Sequence, residues 1–275
     1  MSILDFAIEV AEKAGKLILK ERKNLKISSK SNANDLVTNA DKAAEEFIVA
    51  EILRKYPKGH GIIAEESSYE NDQSLTTLTN SEYIWIIDPI DGTTNFTRGI
   101  PEYAVSIGVM KMGSIDESSN FEYIEGELIA GVIFAPQMSE MFYAAKDAGA
   151  FLNGKPISVS PIKTINEAIF ATGFPAVHRE RNLPYFKKAL NKCRAMRRPG
   201  AASLDLAYIA CGRYDAFWEF GLHPWDVAAG ALIVEEAGGK VTDINGNQLD
   251  LFGKDILATN GTVHKEAMDL FEDCA

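Results

Sequence analysis

The segment Trp85-Ile86-Ile87-Asp88-Pro89-Ile90-Asp91-Gly92-Thr93-Thr94-Asn95-Phe96 holds two carboxylates three residues apart, behind an apolar run and ahead of a glycine. The run Tyr83 to Ile87, bounded by Pro89 and Gly92, reads as a buried strand. It delivers Asp88 at its C-terminal end, where open sheets gather their ligands. Gly92 lets the chain pass close to a ligand. Thr93 and Thr94 suit the start of a helix, whose free N–H groups favour an anion such as phosphate. Two carboxylates on one short turn are hard oxygen ligands of the kind magnesium takes. A bare Asp-x-x-Asp more often only opens a turn and caps a helix. Here twelve residues in this order, strand before and glycine after, point instead to a place where a cation and a phosphate meet.

The elements that must hold this segment are readable around it. Leu4, Ala7, Ile8, Ala11, Ala14, Ile18 and Leu19 recur at helical spacing and predict an amphipathic first helix ending near Lys23. Residues 24–37 read as polar and irregular, and a second helix is expected from Ala40 to Tyr56, closed by Pro57. Ile62–Ala64 reads as a short strand running into Glu65-Glu66-Ser67, followed by a polar loop over 66–82. Further strands are expected at Tyr103–Met110, Glu127–Phe134 and Met141–Ala145, with a solvated hairpin loop at 113–126 and an Asn153-Gly154 turn. The second half alternates: strands at Ile169–Thr172, Tyr214–Trp218 and Ile256–Ala258, and helices at 180–192, Ala201–Cys211, Val227–Ala237 and 263–272. This reads as one mixed α/β unit over residues 1–275, or two intimate halves meeting near residue 150.

Composition narrows the function classes. A formal charge of −11 with no basic stripe argues against a nucleic-acid partner. An acidic protein that handles an anion needs local positive charge, and bound metal ions are a natural source. Cys193, Cys211 and Cys274 form no CxxC or Cys/His cluster, which fits a reducing compartment without structural zinc. The N-terminus carries acidic residues among its apolar ones and does not read as a signal peptide. No apolar stretch approaches the roughly 18 residues of a membrane span. The expectation is a cytoplasmic protein with no membrane partner. His60, His178, His223 and His264 have no spacing that suggests a nucleophile or a ligand set.

The segment around Asp88 resembles the signature of the inositol monophosphatase family, and three further segments lie in the family's order. These are Asp35-Leu36-Val37-Thr38-Asn39-Ala40-Asp41, Ala64-Glu65-Glu66-Ser67 and Trp225-Asp226-Val227-Ala228-Ala229-Gly230. The resemblance spans nearly the whole chain. It implies a layered αβαβα architecture, a homodimer, and a magnesium-dependent phosphatase that is lithium-sensitive. Position by position, it implies that Glu65, Asp88 and the carbonyl of Ile90 hold a first magnesium. Asp88, Asp91 and Asp226 would hold a second, and a third, weaker ion would sit near Glu65. Asp41, Thr93 and Glu65 are then the catalytic residues, activating a water for in-line attack on phosphorus. Asp91, Gly92 and Thr93 would meet the phosphate, while Ala202 and Glu219 would meet a polyol such as myo-inositol 1-phosphate. Lys30 matches a family lysine near the metal site. Thr94-Asn95-Phe96, in place of the Lys-Glu-Phe of nucleotide phosphatases, favours the inositol branch.

Each assignment has a plainer counterpart. Glu65 could be a solvated glutamate, Asp226 the N-cap of the helix after Pro224, and Glu219 a strand end paired with a cation such as Arg213. Four carboxylates in one site would repel each other strongly unless cations neutralised them, which favours the collective reading. Two alternatives stay open. One is a phosphatase of the same superfamily acting on histidinol phosphate, fructose 1,6-bisphosphate or a nucleotide phosphate. The other is a regulatory or binding protein that keeps the fold.

Overall fold

In a computed structural model of the chain, residues 1–29, 36–70, 81–113, 126–175 and 178–274 are described. Lys30, Asp35 and most of the loops expected at 66–82 and 113–126 lie outside them. The amphipathic first segment forms α1 (Ile3–Glu21), started by a reciprocal cap in which Ser2 Oγ accepts the Asp5 N–H and Asp5 accepts the Ser2 N–H. Residues 24–37, expected to be irregular, contain a strand pair, β1 (Ile27–Ser29) and β2 (Leu36–Thr38), with Ile27 opposite Thr38. Three residues a side are too few for an alternation to register. α2 (Asn39–Lys55) starts on a second reciprocal cap, Thr38 with Asp41.

β3 (His60–Ala64) leads into α3 (Glu65–Glu70), where the sequence pointed to a strand running into a loop. The reason lies on α2. The Glu45 carboxylate accepts the N–H groups of Glu66 and Ser67 at 2.7 and 2.8 Å, so α3 is capped from another helix. β4 (Tyr83–Asp91) runs through Asp-Pro-Ile-Asp instead of turning there, and α4 (Thr93–Arg98) follows. β5 (Ala104–Met112), β6 (Gly126–Ala135), β7 (Glu140–Ala145), β8 (Ala150–Leu152) and β9 (Lys155–Ile157) extend the sheet as a meander. Its seven strands lie in the order β3-β4-β5-β6-β7-β8-β9, β3 and β4 parallel and each later pair antiparallel.

The second half supplies β10 (Ile169–Thr172), α5 (Leu183–Leu190), β11 (Ala195–Arg197), α6 (Ala202–Ala210), β12 (Ala216–Phe220), α7 (Pro224–Glu236), β13 (Lys240–Thr242), β14 (Asp255–Thr259) and α8 (His264–Phe271). The helix expected over 180–192 is divided, a 3-10 turn at Arg179–Asn182 giving way to α5, with Pro184 in its first turn. A five-stranded sheet forms in the order β11-β10-β12-β14-β13. Its edges β11 and β13 are three residues long and carry no strand signal in the sequence.

Packing of these elements gives five layers. Phe6, Val10, Ile18 and Ile48 of α1 and α2 bury Trp85, Ile87, Ile107 and Val132 on the outer face of the first sheet. Leu206 of α6 and Leu232 of α7 share one core with Ile133 and Phe142 of the first sheet and Phe217 and Ile256 of the second. Tyr185 of α5 and Phe271 of α8 cover Phe170, Trp218 and Leu257 on the far side. The order is αβαβα, the mixed α/β architecture expected. Among the described residues no helix is long and apolar enough to cross a membrane.

Two glycines set how deeply the middle layer sits. A Cβ on Gly108 would lie 2.8 Å from the Ala228 Cβ, and one on Gly131 would lie 2.6 Å from the Ala229 carbonyl oxygen. Without them the second turn of α7 could not settle on β5 and β6. The obstacle at Gly131 is helix backbone, which cannot swing aside. Gly131→Ala is therefore expected to destabilise the fold by about 1–3 kcal/mol, read as a lower urea midpoint at unchanged slope.

His264 closes the far edge of the second sheet, buried between Thr242 and Thr259. Thr242 Oγ1 donates to the Asp243 carbonyl at 2.6 Å, so it accepts from His264 Nε2–H, and Nδ1 is left to accept the Thr259 hydroxyl. The ring is thus held neutral, and burial pushes its pKa down from 6.5 to about 4. The unfolded chain binds the extra proton first, so this contribution is complete above pH 6.5 and fades as pH falls towards 4. Unfolding free energies from urea titrations across that window should drop more steeply with falling pH for the native chain than for His264→Gln, by up to about 1.4 kcal/mol per pH unit.

Candidate metal centre and active site

The position of the two signature aspartates follows from a defect in the sheet. Ile84 and Ile86 face the middle layer, packing with Trp225 and Ala228, so the two-residue period of a strand points Asp88 the same way. On a regular strand Asp91 would then face the opposite side. The pairing shifts instead: Asp88 is opposite Ser106 and Asp91 is opposite Ala104, three residues on β4 against two on β5. The extra residue is a bulge, and it brings both carboxylates to one face. Pro89, which has no N–H to give to a ladder, sits inside it.

Asp226 reaches the same point from the first turn of α7. It is the third residue of that helix and not its N-cap. His223 is the N-cap, and Asp226 Oδ2 accepts the His223 N–H at 2.7 Å. One carboxylate oxygen from each of Asp88, Asp91 and Asp226 lies within 4.8 Å of the others. Glu65, at the start of α3, lies close enough for its charge to act on Asp88. Burial, then the charges of Glu65, Asp91 and Asp226, drive the Asp88 pKa well above the usual carboxylate range. Asp226 is raised in the same way, first by burial and then by Asp91. Asp91 is raised by burial too, but hydrogen bonds from Ser203 oppose the rise. Such a donor set, all oxygen, crowded and acidic, fits a hard divalent cation.

Asp91 has a second attachment. α6 has no side-chain cap of its own, and Asp91 Oδ2 accepts the Ser203 N–H at 2.7 Å and the Ser203 hydroxyl at 2.5 Å. A strand residue thus caps the helix and takes the positive end of its dipole. Ser203 was not singled out in the sequence, because its partner lies 112 residues away.

Beside the carboxylates, Thr93 Oγ1 lies 3.1 Å from Asp41 Oδ1 and 3.0 Å from the Ile90 carbonyl, two acceptors for one hydroxyl proton. Asp41 is fully buried, and its other oxygen accepts the Thr38 N–H and hydroxyl. Asp88 Oδ1 accepts the Ile90 N–H at 2.9 Å, which holds the Ile90 carbonyl in place. Gly92, with φ at 86°, precedes α4, and a Cβ there would meet the Glu102 carbonyl at 2.9 Å. Only glycine fits both the conformation and the space. Asn95 Nδ2 donates to the carbonyls of Glu102 and Pro199 at 2.7 and 2.8 Å, tying the α4 turn to the chain entering α6. That staple places Ala202, buried in the first turn of α6, next to the signature.

Glu219 lies inside β12, which runs from Ala216 to Phe220, two residues beyond the strand end expected. Surrounding protein pushes its pKa to about 8, with Arg198 opposing the rise and Asp91 adding to it. Arg213 pairs elsewhere: its two terminal guanidinium nitrogens donate to Glu140, at 2.7 and 2.5 Å. Asp205 of α6 is an acid the sequence analysis passed over. It is buried, its Oδ1 has no hydrogen-bond partner among the described residues, and burial followed by Glu219 and Asp91 raises its pKa strongly. Its helical spacing marked it only as part of a packed helix. His60 accepts the Trp85 indole N–H at 2.8 Å, and His223 stacks on Trp225 at 4.7 Å between centroids.

Comparison with known proteins sets this geometry in context. Residues 1–274 match the profile of the inositol monophosphatase family. The chain is 40% identical over 265 residues to Nus factor SuhB of Pseudomonas aeruginosa, covering 94% of this chain and 91% of that one. The crystal structure of extragenic suppressor protein suhB from Bartonella henselae superposes with a TM-score of 0.85 at 35% identity, covering 99% of each chain. The structure of an IMPase from Thermotoga maritima gives 0.84 at 33% identity, covering 100% of this chain and 98% of that one. With the profile matched over residues 1–274 and the same fold in these relatives, the chain belongs to the inositol monophosphatase family.

Proposed function

We propose that this protein is a magnesium-dependent phosphomonoesterase that hydrolyses myo-inositol 1-phosphate and similar small alcohol phosphates. The observation that carries the reading is the convergence of Asp88, Asp91 and Asp226 within 4.8 Å on the face shared with α7. Asp88, Asp91 and Asp226 would hold one magnesium, and Glu65, Asp88 and the Ile90 carbonyl another. When bound, magnesium supplies charge neutralisation and polarises phosphoryl oxygens. The rest falls to the chain. The Gly92 and Thr93 N–H groups receive phosphate oxygens at the start of α4. Thr93 accepts a proton from the attacking water and passes its own to Asp41, 3.1 Å away. Ala202 and Glu219 meet the hydroxyls of the alcohol. The same reading makes the chain a single catalytic unit, cytoplasmic and homodimeric.

A second reading is favoured by one finding, the name Nus factor carried by relatives 40% identical to this chain. A role through a binding partner would then stand beside catalysis. A variant without turnover that still replaces the native gene in its host would place the essential role there.

Metal dependence is the first test. Chelation should abolish phosphate release from inositol 1-phosphate and magnesium should restore it. Magnesium should also raise the melting temperature, since an ion that binds the folded state alone stabilises it. Full activity in metal-free buffer would sink the proposal. Calcium, larger and looser in its coordination, should substitute poorly. A panel of inositol, histidinol, sugar and nucleotide phosphates then ranks the substrates.

Asp91→Asn is the second test. An amide oxygen still accepts from Ser203, so the cap on α6 should survive and circular dichroism should be unchanged. Loss of the ligand charge should cut kcat by at least about a hundredfold, or roughly 2.7 kcal/mol. Near-native turnover would remove Asp91 from the metal centre.

A further inference from the structure

Glu219 and Gly173 lie side by side where β10 meets β12. These strands are parallel with Thr172 opposite Trp218, so the next step along the ladder sets Gly173 beside Glu219 on the other face. The carboxylate lies directly over the glycine. A Cβ on Gly173 would be 2.0 Å from Glu219 Oε1 and 2.1 Å from Oε2.

The glycine cannot retreat from such a contact. Its carbonyl accepts Asn182 Nδ2 at 2.6 Å, and the same amide nitrogen reaches Thr172 Oγ1 at 2.9 Å. The Asn182 oxygen accepts the Trp218 indole N–H at 2.6 Å, and the Thr172 hydroxyl donates to the Trp218 carbonyl at 2.6 Å. All three of these residues are buried. The network locks the backbone on both sides of the pair, whereas the carboxylate is the free end of a flexible side chain.

We infer that Gly173 is a positioning residue for substrate choice, its missing side chain being the space in which the Glu219 carboxylate rests. The inference builds on the reading of Glu219 as the group that meets a polyol. A side chain at 173 displaces that carboxylate while leaving Asp88, Asp91, Asp226 and the Thr93–Asp41 pair where they are.

The test uses Gly173→Ala, Glu219→Gln and the double variant, each assayed on inositol 1-phosphate and on β-glycerophosphate. Gly173→Ala should reduce the preference for inositol 1-phosphate, as a ratio of kcat/KM values, by about tenfold, the scale of one hydrogen bond to a charged group. The loss should fall mainly on KM. In the Glu219→Gln background the same substitution should add little further loss of preference, because the group it displaces is already impaired. A loss of equal size in both backgrounds, or no loss from Gly173→Ala while Glu219→Gln does lose preference, overturns the inference. A crystal structure of Gly173→Ala separates this from the reading beneath it. A displaced carboxylate with Glu219→Gln showing normal preference keeps the positioning and removes the polyol role. An unmoved carboxylate with a shifted 172–174 backbone overturns the positioning. Gly173→Ser serves the same purpose if the alanine variant folds poorly.

Discussion

Like charge held out of water is the constraint around which this protein is built. Three carboxylates approach within 4.8 Å, and Asp88 feels burial, the other two and the additional charge of Glu65. Their mutual repulsion grows as water is removed, so the site favours protonation or a cation. Hydrogen bonding within the protein relieves it in part, as the Ser203 contacts do for Asp91.

Holding such a site together requires stiffness from elements that do not meet in the sequence. The bulge in β4 turns Asp91 to the face of Asp88, and the bare glycines of β5 and β6 let α7 bring Asp226 down to them. Asp91 in turn fixes the start of α6, and Asn95 binds the chain that enters it. Asp91 is thus tied to a neighbouring helix, while Asp88 and Asp226 are held by backbone N–H groups of their own segments. The arrangement is that of a preorganised site, in which the supporting hydrogen bonds hold the geometry before any ligand arrives.

Much of this was legible in the sequence, and the rest was hidden for identifiable reasons. The order of motifs located Asp88, Asp91 and Asp226, and the apolar run before Asp88 gave its strand. Periodicity found the long helices α1, α2 and α7 and most strands of the first sheet. It missed β1, β2, β11 and β13, which are three residues long. It also missed α3, because the group that caps it, Glu45, lies 21 residues upstream. Ser203 and Asn95 have partners more than a hundred residues away, beyond the reach of any local pattern. The bulge was misread as a turn because Asp-Pro-Ile-Asp has turn composition, and only the pairing with β5 reveals the extra residue.

The first turns of α2 carry a consequence for how the site can change. Asp41 and Glu45 are four residues apart on one buried face. Asp41 holds the Thr93 hydroxyl, and Glu45 holds the opening N–H groups of the helix that bears Glu65. Four residues of helix, about 6 Å of rise, therefore space the partner of Thr93 from the support of Glu65. A helix is a stiff ruler with discrete steps, so this spacing cannot be adjusted by fractions of an ångström. Any change in the width of the site must therefore come from the elements facing α2, the end of β4 and the start of α7, and not from α2 itself.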